Sequence, residues 1–267
     1  MIDLHSHIIP GVDDGSPDYE TSLAMLEIAA EDGIRTIAGT PHFIPGAFAP
    51  SAAEVRTAVG LLKEKVKAAG IDIEITGAHE VRTAAGLLQK LRNDEILTYD
   101  KSKRYLLLEM PGSSIPAWMD KLIFELEVGD IIPVIAHPER NAGVIKNPML
   151  FYELVQKGCR SQITAGSITG RFGERVRETA HLLLRHRMAH IVASDAHDAE
   201  DRTPVLSMAR ATVAEMLGEP TAKALFEVNP RRILDGDEFY APDPKPIEED
   251  EEKDSALFGL FRRLFEK

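Results

Sequence analysis

The chain has 267 residues, of which 44% are hydrophobic and 28% charged, and carries a net charge of −12 at pH 7. That balance describes a folded chain with room for one large core, and it excludes general affinity for nucleic-acid backbones, which requires a basic surface. One cysteine excludes an internal disulfide, no signal peptide opens the chain, and no apolar run reaches the about 18 residues of a membrane span, so the expectation is a cytoplasmic protein.

MIDLHSH (1–7) reads as the first strand. A helix follows, with Ser16 as N-cap, Pro17 at its first position and Gly33 as its stop. RTIAGTPHF (35–43) is the second strand. The next helix opens with a capping box, Ser51 with Glu54, and ends at Gly70. DIEITGAHEVR (72–82) is the third strand, with a short helix near 84–92, and RYLLLEMP (104–111) is the fourth, with a helix near 117–128. DIIPVIAHPER (130–140) is the fifth, with a helix near 148–158, and CRSQITAGS (159–167) is the sixth, with a helix near 173–187. AHIVASDAH (189–197) is the seventh, with helices near 203–217 and 220–227.

Seven strand-then-helix units predict an α/β fold whose parallel strands close into a TIM-like (β/α)7 barrel. An open doubly wound sheet is the alternative, weakened because no GxGxxG follows the first strand. The body is expected to span 1–240. An acidic, proline-rich linker (241–254) and an amphipathic helix (255–267) follow it. That helix, with Leu257, Phe258, Leu260, Phe261, Leu264 and Phe265 on one face, suits packing on the barrel or a sister subunit, contact with the inner face of a membrane, or docking on a protein.

Metal-binding residue types recur at the carboxyl ends of these strands. Strand one gives His5 and His7, two apart and so on one face, and its loop gives Asp13 and Asp14. Strand two gives His42, strand three Glu80, strand four Glu109, strand five His137, and strand seven Asp195 and His197; strand six gives none. In a barrel these ends share one face. Five of the nine histidines lie in this set, more than scatter would place there. A carboxylate straight after LLL, or a histidine straight after PVIA, is costly to leave unpaired at the edge of a core, and metal ions remove that cost. Nine ligands (Asp14, Glu80, Glu109, Asp195 and the five histidines) suit two or three divalent ions with mixed nitrogen and oxygen ligation, as for Mn, Fe or Zn. Three ions would leave the cluster at about +2, attractive to phosphate. Arg140 and Arg202 are placed to bind phosphate oxygens bidentately.

Other polar residues read as structural. Asp13 sits in a GVDDG turn, His79 points to the face opposite Glu80, and His181, His186 and His190 read as surface. Cys159 reads as a small buried residue; a cysteine-phosphatase loop would want arginine at position 165, which is alanine.

Together DLHSHIIPGVDDG, TPH, the strand-end glutamates, AHPER, TAGSITGRFG and SDAH resemble the metal-dependent protein-tyrosine phosphatases of the polymerase-and-histidinol-phosphatase (PHP) superfamily, found with bacterial capsule and exopolysaccharide systems. The resemblance covers residues 1 to about 235. It implies a distorted seven-stranded barrel. It implies a first metal held by His5, His7, Glu80 and Asp195, a second by Glu80, Glu109 and His137, and a third by Asp14, His42 and His197. Arg140 and Arg202 would bind phosphate, and Asp14 would stand at the catalytic centre as well. The implied metal is manganese, and the implied attack is by a metal-bridging hydroxide with no phosphoenzyme. The implied substrate is a phosphorylated bacterial tyrosine kinase. Two features depart from the pattern: Phe43 follows TPH, and the chain extends past 240. A small phosphoester such as histidinol phosphate, or a non-catalytic metal-loaded scaffold, remain as alternative functions.

Overall fold

The computed structural model describes residues 1–247. Most of the expected linker, and the helix expected at 255–267, lie outside the described residues. Nine strands and eleven helices follow in chain order: β1 (Ile2–Ser6), α1 (Tyr19–Glu31), β2 (Thr36–Gly39), β3 (His42–Phe43), α2 (Ala52–Ala69), β4 (Glu74–Gly77), β5 (Glu80–Arg82), α3 (Leu87–Arg92), β6 (Tyr105–Glu109), α4 (Met119–Val128), β7 (Ile132–Ala136), α5 (Ala142–Lys146), α6 (Met149–Gln156), β8 (Arg160–Thr164), α7 (Ala165–Ile168), α8 (Glu174–Arg185), β9 (Ile191–Ala193), α9 (Ser207–Leu217), α10 (Glu219–Lys223) and α11 (Asn229–Asp235).

All strand pairs are parallel, as the alternation of strands and helices requires. The second and third predicted strands are each broken in two, at Thr40–Pro41 and Ala78–His79. Proline cannot donate to a ladder, so the break at Pro41 has a local cause. The result is a sheet β1-β2-β4 and a sheet β3-β5-β6-β7-β8-β9. Ala78 N donates to Gly39 O (3.1 Å) and Glu80 N to Pro41 O (3.1 Å), so the broken strands stay in register. A parallel bridge, Ser6 with Ala196, joins β1 to the chain after β9. Asp195 N donates to His5 O (2.8 Å) and His7 N to Ala196 O (2.7 Å).

The strands are buried on both faces, which explains near-continuous apolar runs such as YLLL in β6. One cluster of buried side chains packs the helices on the sheets, among them Leu26, Ile37, Leu62, Leu106, Ile135, Phe151 and Phe226. A second, smaller cluster includes Leu4, Ala38, Tyr105, Leu107, Val134 and Ile191.

Two caps show where local sequence decides and where it does not. The Ser51–Glu54 capping box and the left-handed Gly70 are present around α2. The first helix begins later than its sequence suggests: Asp18, not Ser16, is the N-cap and accepts from Thr21 N (2.8 Å). Ser16 is fully buried, its N–H bound to His7 O (2.9 Å), and tertiary pairing takes it out of the cap role. His186 and His190 are buried rather than on the surface. His190 Nδ1 accepts from Ser161 N (3.1 Å), and burial pushes its pKa down to about 3. Past Tyr240 the chain keeps contact with the body: Lys245 N donates to His186 O (2.9 Å) and Ile247 is buried.

Candidate metal centre

The carboxyl ends of β1, β6, β7 and β9, with the first residues of β3 and β5, deliver their polar side chains to one place. Glu80, fully buried on β5, is its centre. Its Oε2 lies 3.3 Å from His5 Nε2, 3.5 Å from His7 Nε2 and 2.8 Å from His42 Nδ1, and its Oε1 lies 2.9 Å from His137 Nε2. The two oxygens of one carboxylate thus face different histidines. Asp195 Oδ1 is 3.4 Å from His5 Nε2 and 3.5 Å from His7 Nε2. Glu109 Oε2 is 3.9 Å from His42 Nδ1. Asp14, half-exposed, lies 3.5 Å from His42 Nε2 and 3.8 Å from His197 Nε2. All nine residues expected as ligands therefore meet.

The ligand atoms of seven of them fall into three overlapping groups, within each of which all lie inside 4.8 Å of one another: His5, His7 and Glu80; His42, Glu80 and Glu109; and His7, Asp14, His42 and His197. The grouping differs from the sequence expectation: Asp195 is not in the first group, His42 stands in the second where His137 was expected, and His7 joins the third.

Electrostatics make a metal the natural occupant. Burial raises the Glu109 pKa, and the charge of Glu80 raises it further. Burial opposes protonation of His7, yet Asp13, Asp195 and Glu80 lift its pKa well above the usual histidine range. Burial likewise opposes ionisation of Glu80 and Asp195, but His5 and its neighbours hold both well below the usual carboxylate range. Acidic groups are crowded until one resists ionising, while histidines compete for protons. Divalent cations satisfy both demands. Glu80 Oε2 and His42 Nδ1 are buried and make no hydrogen bond among the described residues; Glu109 Oε2 makes none either, but is paired in charge with Arg82 Nη2 2.8 Å away. The first two are close, but off the axis that a hydrogen bond needs. Such orphaned lone pairs converging on one space fit metal ligation.

A surrounding shell fixes the ligands, and sequence reasoning missed most of it. Asp13, read as a turn residue, is a buried orienting group: Oδ2 accepts from His7 Nδ1 (2.7 Å) and His42 N (2.9 Å), and Oδ1 from Gly15 N (3.0 Å). Gln162 stands on β8, the strand that gives no ligand, and its Oε1 accepts from His5 Nδ1 (2.9 Å) and His137 N (3.2 Å). His197 Nδ1 donates to Asp195 O (3.1 Å). Each of these bonds puts the proton on Nδ1 and turns Nε2 toward the cluster. Arg82 lies 2.8 Å from Glu109. Gly15 is required where it stands, since a Cβ there would lie 2.3 Å from both the Cβ and the O of His7. His137 and Asp195 adopt left-handed φ of +33° and +53°, uncommon for side-chain-bearing residues.

The two arginines are also in place. Arg140 and Arg202 both donate to Asp195 Oδ2, Arg202 Nη2 at 2.7 Å. Arg202 Nε is buried with no acceptor among the described residues, a free donor beside the cluster. Arg140 lies with its guanidinium 4.6 Å from the centre of the Phe172 ring. Glu139, fully buried, accepts from Thr164 N (3.0 Å) and Ser167 Oγ (2.7 Å), tying the Pro138–Arg140 turn to the loop after β8. Cys159 is buried, and burial pushes its thiol up to about 12, so it offers no thiolate.

A parallel α/β fold with a histidine- and carboxylate-rich cluster at its strand ends, flanked by two arginines, defines a metal-dependent hydrolase site of the kind that suits phosphoesters. Comparison with known proteins is consistent with that class. Residues 1–235 match the family described as capsular polysaccharide synthesis, CpsB/CapC, and the chain belongs to that family. It is 35% identical over 261 residues to the tyrosine-protein phosphatase YwqE of Bacillus subtilis, covering 98% of this chain and 100% of YwqE. It is 33% identical over 239 residues to the tyrosine-protein phosphatase CpsB of Streptococcus pneumoniae, covering 88% and 98%. One solved chain, from crystal structures of YwqE and CpsB described as unique metal-dependent tyrosine phosphatases, superposes with a TM-score of 0.89 at 34% identity, over 93% of this chain and all of that one. A lactonase from Listeria monocytogenes shares the fold alone, with a TM-score of 0.52 at 14% identity.

Proposed function

We propose that this protein is a metal-dependent phosphotyrosine-protein phosphatase that acts on an autophosphorylated bacterial tyrosine kinase of capsule or exopolysaccharide synthesis. The observation that carries the reading is the convergence of nine ligand-type side chains on Glu80, with Arg140 and Arg202 at their edge. Family membership supports the capsule context, and the relatives' phosphatase names support the substrate class. No described helix is long and apolar enough to cross a membrane. The hydrogen bonds across the broken strands and the Ser6–Ala196 bridge support reading the two sheets as one distorted seven-stranded barrel.

His5, His7, Asp14, His42, Glu80, Glu109, His137, Asp195 and His197 would hold two or three divalent ions, with manganese the leading candidate and iron or zinc compatible with the same donors. When bound, such ions supply Lewis acidity toward phosphoryl oxygens and lower the pKa of water. The residues of the chain do the rest. Asp13, Gln162 and the Asp195 carbonyl hold three histidines as neutral Nε2 ligands. Arg202, with its unpaired Nε, and Arg140 clamp the non-bridging oxygens and neutralise charge as the ester bond breaks. The phosphorus–oxygen bond to tyrosine breaks, a water oxygen replaces it, and the phenolate takes a proton.

The test is phosphate release from a phosphotyrosyl peptide by the full chain with Mn²⁺, with and without excess chelator. The proposal expects release that the chelator abolishes. A folded, metal-containing protein that spares the peptide but hydrolyses histidinol phosphate would move the assignment to a small phosphoester; one that cleaves neither would leave a metal-loaded scaffold.

A further inference from the structure

A cavity of about 240 Å³ opens beside the metal centre. Asp195 and Arg202 stand at one end, and Ala165, Phe172, Val205 and Met208 form its apolar walls. The volume lies below the about 300–1,000 Å³ of sites that enclose a drug-sized molecule, so it fits a single side chain rather than a length of peptide. Met208, in the first turn of α9, is 66% exposed. One exposed methionine is ordinary; this one lines the same cavity as a phosphate-binding arginine.

The segment between α7 and α8 is folded to bring Phe172 to this place. Arg171 N donates to Gly166 O (2.8 Å), and Gly170 and Gly173 take left-handed φ of +90° that permits the reversal. A Cβ on Gly166 would lie 3.1 Å from Phe172 Cε2, so this glycine lets the ring approach. Phe172 then serves two surfaces: its face supports the Arg140 guanidinium, and it walls the cavity.

We propose that this cavity receives the aromatic ring of the leaving group, with Phe172 and Met208 selecting aryl over alkyl phosphomonoesters. The inference rests on the phosphatase reading above. A phosphoryl group held at the cluster by Arg140 and Arg202 directs its ester substituent along the Arg202 end of the cavity. A tyrosyl ring there meets Phe172 ring to ring and the Met208 thioether at its edge, two contacts that aromatic rings favour. A serine or threonine ester is too short to reach either and leaves both walls wet.

The experiment compares two inert ligands, phenylphosphonate and methylphosphonate, on the full Mn²⁺-loaded chain. Inhibition constants are read against phosphotyrosyl-peptide turnover, and dissociation constants by calorimetry. The wild type is expected to prefer the phenyl compound by about ten-fold or more. In Met208→Ala and Phe172→Ala that ratio is expected to fall by about three-fold or more, with Met208→Leu, which keeps the apolar bulk but not the thioether, restoring it in part. A wild-type ratio near one, or a ratio unchanged in both alanine variants, overturns the proposal. An unchanged ratio with equal weakening of both compounds in Phe172→Ala would reduce Phe172 to a support for Arg140. Failure of the phosphatase reading is visible separately, as absence of chelator-sensitive turnover, while the calorimetric ratio still tests the cavity.

Discussion

Asp13→Asn is the sharpest test of how the histidine fork is held. The Asp13 side chain is fully buried, and its carboxylate accepts three hydrogen bonds, from His7 Nδ1, His42 N and Gly15 N. Burial opposes its ionisation, but His7 more than compensates and holds its pKa low. The amide keeps one oxygen and replaces the other with a donor. With its oxygen toward His7 the amide gives up the charge on that bond and sets its nitrogen against Gly15 N; with its nitrogen toward His7 the bond is lost, or His7 carries its proton on Nε2, where it cannot ligate. Loss of a charge-assisted bond in a dry site costs about 1.5–3 kcal/mol, which corresponds to about 10- to 100-fold in affinity for the ion that His7 serves. The assay is calorimetric titration of chelator-stripped protein with Mn²⁺, paired with kcat/KM as a function of free Mn²⁺. Weaker binding by that factor is expected, with activity recovering as metal is raised. Wild-type affinity in Asp13→Asn, at an unchanged metal-free Tm, would refute this reasoning.

Three further outcomes follow from the same geometry. Gly15→Ala should lose metal binding, because the new methyl lands 2.3 Å from His7; a variant that binds Mn²⁺ like the wild type would contradict the close approach. Cys159→Ser should retain kcat while losing about 1–3 kcal/mol of stability by denaturant titration, since it places a hydroxyl in an apolar site; loss of kcat in a folded, metal-loaded variant would restore a thiol mechanism. His190 carries a pH signature. Its folded-state pKa of about 3 lies below the unfolded value near 6.5, so the unfolded chain binds the extra proton, and stability present above pH 6.5 is lost as pH falls toward 3. The full loss is on the order of 5 kcal/mol. Asp3, raised by burial to about 6, works in the opposite direction over pH 4 to 6, so the measurement is the difference from His190→Asn, whose Oδ1 can take the place of Nδ1. In chelator, Tm of the variant should fall less steeply below pH 6.5 than that of the wild type; parallel curves would refute the assignment.

Much of the site is legible because its ligands are residue types that are costly at the ends of buried strands. Glu109 after YLLL and His137 after PVIA announce themselves by that cost. The supporting residues carry no such signal. Asp13 is indistinguishable in sequence from an ordinary turn aspartate, and Gln162 is of no metal-ligating type. The signal that could have found Gln162 is its place as the polar residue of the strand that supplies no ligand. The broken second and third strands were hidden because each half carries a plausible strand pattern, and only the bend at Pro41 hints otherwise. Ser16 and Asp18 both satisfy the N-cap rule, and the choice is made by the hydrogen bond that Ser16 N donates to His7 O, which no local pattern contains. His186 and His190 have helix-end surroundings that look exposed, but packing of β8 and of the chain near Lys245 buries them.

The measurement closest to the central claim is anomalous diffraction at the manganese edge from crystals of the full chain grown with Mn²⁺. The account predicts two or three peaks around Glu80, within ligating distance of His5, His7 and Asp195, of Glu109 and His137, and of Asp14, His42 and His197. Peaks elsewhere, or none in a chain with Glu80 where it stands here, would contradict it.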